Sequence, residues 1–212
     1  MPLNFHTHHP RPGERYVRSL GLHPWHLRAE TLAADMEELR QRLSQEGNRY
    51  EMVGECGLDK ACHTPLPLQA EAFTQQLLLA EEVGKPVVVH CVRAFNELHA
   101  LRTRHHWQQP WVVHGYAGAL PLTQQLRRAG IQFSFGRNLH LPKTQGSLAF
   151  LATGLAQGES AADFFLETDD DEGKTIEEVY DQAATILRLP RQRLEEAIEA
   201  NYQRLLGSQA NH

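Results

Sequence analysis

Short apolar runs rich in β-branched residues recur along the chain, separated by stretches in which apolar residues fall every three or four positions. That alternation is the pattern of β/α units built around a parallel sheet. The strands it predicts are Leu3–His6, Tyr16–Leu22, Glu51–Cys56, Pro86–His90, Trp111–His114, Gln132–Phe135 and Asp163–Glu167. Leu32, Met36, Leu39 and Leu43 mark one helical face, with Gly47 as a stop. A second helix spans Leu68 to Val83, closed by Gly84 and Pro86; weaker patterns cover Ala94–Leu101 and Leu120–Ala129, the latter closed by Gly130. Two more run from Ile176 to Leu187 and from Leu194 to Leu206, with Pro190 between them. The expected class is α/β, a TIM-like (β/α) barrel.

Composition narrows this little. With 212 residues, 41% hydrophobic and 22% charged, the chain reads as one globular domain over 1–212. No run approaches the roughly 18 apolar residues of a membrane span, and the first residues lack the basic and apolar regions of a signal peptide. A cytoplasmic protein with reduced Cys56, Cys62 and Cys91 is therefore expected, with no membrane and no obligate protein partner. The net charge of −5 excludes a broad basic footprint for nucleic acid, so any such ligand would be gripped locally. Thirteen histidines are the unusual feature, since imidazole is both a common metal ligand and the acid/base group nearest neutrality.

Position gives these histidines meaning. His6, His8, Glu55, His90, His114 and Asp169 all fall at the C-terminal ends of predicted strands, which in a barrel converge on the face where active sites are built. His6-Thr7-His8 places two imidazoles on one side of a strand. Glu55 follows Met52-Val53-Gly54, where a carboxylate needs a partner or a metal to offset desolvation. His90 closes Val87-Val88-Val89, and His114 closes Trp111-Val112-Val113. Four imidazoles and two carboxylates supply −2 against +4 from two divalent cations, leaving a positive site able to polarise an ester or phosphoryl oxygen. Without a thiolate in the set, zinc, manganese, magnesium and nickel all suit it.

These residues, with Gly21-Leu22-His23-Pro24, Gly54-Glu55-Cys56-Gly57-Leu58-Asp59, the segment from His90 to Ala94, His114-Gly115-Tyr116-Ala117-Gly118, Ser134-Phe135-Gly136 and Glu167-Thr168-Asp169, give the chain a resemblance to the TatD family of metal-dependent hydrolases, in the amidohydrolase-like barrel superfamily. The resemblance runs from His6 to Gly207. It implies that His6, His8 and Asp169 bind one metal, that His90 and His114 bind the other, and that Glu55 bridges them. The implied reaction is phosphodiester hydrolysis, several members being DNA exonucleases, with small phosphodiesters or single-stranded ends as substrate. Fold kinship alone leaves the ligand open. A carboxylic ester, lactone or amide hydrolase, and a metal-binding regulatory protein without turnover, stay as alternatives.

Three departures from the family pattern stand out. Only fourteen residues separate His8 from His23, so the barrel is expected to be distorted or incomplete, with seven strands. The family's Arg two positions after the His90 equivalent is Val92 here, with Arg93 one place later as the candidate phosphate contact. Asp170-Asp171-Glu172-Gly173-Lys174 replaces a Pro-rich loop, and its acids are expected to repel a long polyanion. Asp169 and Glu55 are the candidate catalytic carboxylates, Asp169 taking the water's proton. His23 either contacts substrate or packs, and Asp59 either orients a ligand or caps its loop. Cys56 and Cys91 read as buried small hydrophobes, and His63, His105 and His106 as exposed.

Overall fold

The computed structural model describes residues 1–207. Among them the strands are β1 (Leu3–Asn4), β2 (Arg15–Tyr16), β3 (Ser19–Leu20), β4 (Met52–Asp59), β5 (Val87–Val92), β6 (Trp111–Val113), β7 (Ile131–Phe135) and β8 (Phe164–Leu166). The helices are α1 (Leu32–Gln45), α2 (Leu66–Val83), α3 (Phe95–Arg104), α4 (Leu120–Arg128), α5 (Pro142–Leu151), α6 (Thr153–Ala156), α7 (Ile176–Leu187) and α8 (Arg191–Gly207). The class is α/β of the TIM-like kind, with parallel strands alternating with helices. All seven predicted strand positions are occupied, but the one over 16–22 is interrupted. Val17 turns its N–H to the Asn4 carbonyl at 3.1 Å, whereas Arg18 accepts the Glu51 N–H at its carbonyl and donates its own N–H to the Glu51 carboxylate, each at 2.8 Å, so the two halves pair with different neighbours. Helices α5 and α6 lie where no helix is predicted; Gly146 and Gly154 dilute the apolar period there.

The described residues form two compact units, Met1–Val17 with His114–Gly207 and Arg18–Val113. In the second, β3, β4, β5 and β6 pair in that order, all parallel. Val87, Val88, Val89, Trp111 and Val112 are completely buried, as expected of parallel strands covered on both faces. Burying each such side chain stabilises the fold by about 1.5–3 kcal/mol. Helix α1 presents Leu32, Met36, Leu39 and Leu43 inward as its spacing requires.

In the first unit β1 pairs with β2 and β7 with β8, again parallel. Phe5 stacks on Phe165 with ring centroids 4.4 Å apart, and the buried Tyr180 hydroxyl donates to the Leu3 carbonyl at 3.0 Å, tying α7 to β1. Helix α7 starts at a reciprocal capping box between Thr175 and Glu178. No described helix is long and apolar enough to cross a membrane.

Candidate metal centre

In the first unit the segment that follows β1 runs beside the end of β8 and the residues after it. Phe5 N–H donates to the Leu166 carbonyl, Asp169 N–H to the His6 carbonyl and His8 N–H to the Asp169 carbonyl, each at 2.9 Å. Thr7 and Asp169 are thereby paired, which sets the His-x-His side chains beside the carboxylate. Asn4 clasps the following backbone, accepting from Thr168 N–H at 3.1 Å and donating to its hydroxyl at 2.7 Å. Asp169 itself has φ 54°, a left-handed conformation uncommon outside glycine that is tolerated best by Asp and Asn.

The result is a convergence on one atom. Asp169 Oδ1 lies 3.7 Å from His6 Nε2, 3.6 Å from His8 Nε2 and 3.9 Å from His114 Nδ1. His6 and His114 are buried, while the His8 side chain is half exposed. Within its own unit, then, His114 stands with His6 and Asp169.

Sequence reasoning assigned no role to Glu167. It is fully buried, accepts the Gly115 N–H at 2.5 Å and faces His114 Nδ1 at 3.9 Å. Burial pushes its carboxyl up to about 7; His114 opposes the rise and the Asp169 charge adds to it. A carboxylate directly before a Thr-Asp pair at a strand end is the signal that could have found it.

In the second unit Glu55, on β4, stands between two imidazoles. Its Oε1 lies 3.2 Å from His23 Nε2 and 2.9 Å from His90 Nδ1. The backbone explains why. Gly54 has φ 132° and faces Gly21 and Val88 so closely that a Cβ there would strike the Val88 carbonyl; Gly57, at φ 148°, abuts the His90 carbonyl in the same way. Only glycines flanking Glu55-Cys56 let β3, β4 and β5 come this near, with an irregular register between Val53 and Cys56.

Two buried glutamines of α2, neither singled out by the sequence pattern, complete the placement. Gln76 accepts the Leu22 N–H at 2.7 Å and donates to the Leu22 carbonyl at 3.1 Å, fixing the residue before His23. Gln69 clasps Asp59 likewise, accepting its N–H at 2.6 Å and donating to its carbonyl at 2.9 Å. Their spacing of seven on an otherwise apolar face was the available signal.

Asp59 both caps and orients. Oδ1 accepts the Ala61 N–H at 2.7 Å, and Oδ2 lies 3.0 Å from His90 Nε2. Burial acts to raise the Asp59 carboxyl, but hydrogen bonds from Trp25, His90 and Ala61 outweigh it and hold the pKa below the usual range. Burial acts to lower His90, and the flanking Glu55 and Asp59 outweigh it and raise its pKa.

Among the described residues each unit thus carries a group whose donor atoms lie within 4.8 Å of one another, His6, His114 and Asp169 in one and His23, Glu55 and His90 in the other. The sequence profile of the family described as TatD related DNase matches residues 11–207. The chain belongs to that family. The matched stretch begins after His6 and His8, which rest on the geometry instead.

The chain is 30% identical over 126 residues to the uncharacterized metal-dependent hydrolase YjjV of Escherichia coli strain K12, covering 59% of this chain and 48% of that protein. It is 40% identical over 95 residues to the 3'-5' ssDNA/RNA exonuclease TatD of Edwardsiella piscicida, covering 43% and 32%. The chain thus spans less than half the length of these curated relatives. The crystal structure of the E. coli YjjV TatD homologue superposes with a TM-score of 0.75 at 26% identity, over 90% of this chain and 76% of that one.

The remaining sequence candidates are placed as follows. Arg93 is exposed at the end of β5 with φ 54°. Burial raises the Cys56 thiol far above its usual range and pushes Cys91 up to about 12, so neither is a ready nucleophile. His63, His105 and His106 are exposed. The acidic loop differs from a bare negative patch, because Asp170 pairs with the Arg137 guanidinium at 3.2 Å. Arg11 spans the Glu172 and Lys174 carbonyls at 2.9 and 3.1 Å.

Proposed function

We propose that the chain hydrolyses phosphodiester bonds in small phosphodiesters or at single-stranded nucleic-acid ends, using two divalent ions, one at each cluster. The observation that carries this is the pair of imidazole–carboxylate groups, each with donor atoms within 4.8 Å. The exonuclease names of the relatives support the substrate class.

The donor set fits such ions. The donor atoms of His6, His114 and Asp169 lie within 4.8 Å of one another, and Asp169 Oδ1 also has His8 Nε2 at 3.6 Å. Nitrogen and oxygen donors without thiolate accommodate zinc, manganese, magnesium or nickel. When bound, a divalent ion supplies Lewis acidity to the attacking water and to the ester oxygen.

The chain's own residues do the rest. Asp169, its Oδ1 surrounded by three imidazoles, accepts the proton of the attacking water. Glu55 holds His23 and His90 in position through one oxygen. Asp59 fixes the ring of His90 from the other side, the role carboxylates commonly play behind a ligating imidazole. His23 is close enough to Glu55 to act as a ligand as well as a substrate contact. Arg93 is the cation we assign to the substrate phosphate. With a net charge of −5 the grip on nucleic acid is local, so ends and short strands are favoured over continuous duplex.

The test is a panel of end-labelled single strands, closed circular duplex, a small phosphodiester and a carboxylic ester, assayed before and after exhaustive EDTA and after return of each metal. Release of mononucleotides that is lost with EDTA and restored by metal is expected. Turnover of the carboxylic ester alone, or full activity with the metal removed, would overturn the reading.

A further inference from the structure

Beside the second unit's cluster sits an aromatic ring that neither the fold nor the proposed chemistry requires. Trp25 lies in the short 3-10 turn Pro24–His26 and is 57% exposed, although an indole is among the side chains whose burial contributes most to a core. It is nevertheless held firmly. Its indole N–H donates to Asp59 Oδ2 at 2.6 Å, and its backbone N–H donates to His23 Nδ1 at 3.2 Å. Its ring centroid lies 4.8 Å from that of His23 at 88° and 5.8 Å from that of His90 at 80°. The buried Pro24 fixes the start of the turn.

A side chain kept only for packing would turn its ring into the core. This one is anchored by its polar edge and leaves more than half of its surface to solvent, next to two of the candidate metal-binding side chains, His23 and His90. Anchoring matters energetically, since a ring already fixed at both χ angles loses little entropy when a flat partner stacks on it. The flat partner that accompanies a phosphodiester is a nucleobase.

We propose that Trp25 is a stacking platform for a nucleobase of the substrate, in the nucleotide adjoining the phosphate held at the His23, Glu55 and His90 cluster. This rests on the phosphodiesterase reading above and names the feature that makes nucleic acid, rather than any small diester, the preferred ligand. Stacking is tolerant of base identity because every base offers a π face, so the preference is for the presence of a base and not for a sequence.

The alternative role for Trp25 is as a positioning residue, orienting His90 through Asp59. The experiment separates the two. Single strands carrying either normal bases or abasic sugars at the terminal two positions are compared on the metal-loaded wild type, Trp25→Phe and Trp25→Ala. The wild type should favour the base-bearing strand through KM, by about tenfold, the scale of one base–aromatic stack. Trp25→Ala should abolish that preference, and Trp25→Phe, which keeps a ring but loses the N–H donor, should retain most of it. Equal losses on both strands with the preference intact would overturn the inference in favour of positioning.

A second readout needs no turnover and no folded Ala variant. Phosphorothioate strands resistant to cleavage should quench wild-type tryptophan fluorescence only when they carry bases, and the quench should vanish in Trp25→Phe, which retains Trp107 and Trp111. Turnover without any base-dependent quench overturns the stacking inference and spares the phosphodiesterase reading. Base-dependent quench without turnover of any strand overturns that reading and spares the inference.

Discussion

The two ligand clusters are built by different means. The first unit brings His6, His8 and Asp169 together by pairing the segments that follow β1 and β8, so that backbone bonds at 2.9 Å aim the side chains, and His114 joins them from the end of β6. The second unit seats His23, Glu55 and His90 through side-chain clamps, with Gln76 and Gln69 of α2 gripping the backbone at Leu22 and Asp59. One cluster is aimed by the register of strands and leaves His8 half exposed. The other is embedded in a buried polar network in which each member depends on its neighbours. Networks of that kind are costly when broken in part, because the partner left behind is desolvated.

This contrast can be tested, beginning where the effect should be largest. Asp169→Asn should lower turnover by about a thousandfold or more, as removal of a central catalytic group does, and metal analysis should show a loss confined to one of two ions. Loss of both ions with unfolding would mean that the first cluster is not an independent unit of binding. Asp59→Asn removes the carboxylate behind His90 and should weaken affinity for one ion by about 10- to 100-fold, the usual consequence of losing such a partner. Competition with a chelator of known affinity measures it, and unchanged affinity would leave Asp59 as a loop cap only.

Gln76→Leu keeps volume but strands the Leu22 N–H and carbonyl, which should cost about 1–3 kcal/mol of stability and disturb His23 while leaving the first cluster intact. Denaturant titration measures the first effect, and metal content the second. A neutral result on both would show that the clamp is incidental.

The smallest effect is electrostatic and lies away from both clusters. Arg15 and Glu199 form a bidentate pair, and that hydrogen bond holds the Glu199 carboxyl below its usual value. A group depressed in the folded state contributes stability above its unfolded pKa and loses it as pH falls through the folded one. The pair is well exposed, so Glu199→Gln should cost no more than about 1 kcal/mol at neutral pH and should flatten the acid limb of the stability curve. Melting curves of both proteins from pH 7 down to pH 3 should converge at the acid end; a gap that persists there would show that packing, not charge, is lost.

Much of this was legible in the chain. Period two and period 3.6 located the seven strand positions and helices α1, α2, α3, α4, α7 and α8, since burial on one face leaves a repeating signature. The candidate ligands were visible because a polar ligand ending an apolar run is conspicuous: His90 after Val87-Val88-Val89, His114 after Trp111-Val112-Val113, Asp169 after Phe164-Phe165-Leu166-Glu167-Thr168. The interruption at Val17–Arg18 was not, because pairing partners are chosen by contacts distant in sequence and an apolar run does not say which neighbour it joins. Nor were Gln69 and Gln76, whose value lies in what they touch across the fold. Trp25 belongs to the same class, and Glu167, though its place before Thr168-Asp169 is a visible cue, takes its meaning from the same source: dielectric, distance and exposure. The sequence by itself determined the α/β class, the order of its elements and the types of donor atom at the strand ends, all set by local periodicity and residue chemistry. Only the tertiary structure decided which donors share a carboxylate oxygen, which polar groups are held in place by buried bonds and which ring faces water, because those are properties of distances between residues far apart in the chain, as Asn4 and Thr168 are at 164 positions.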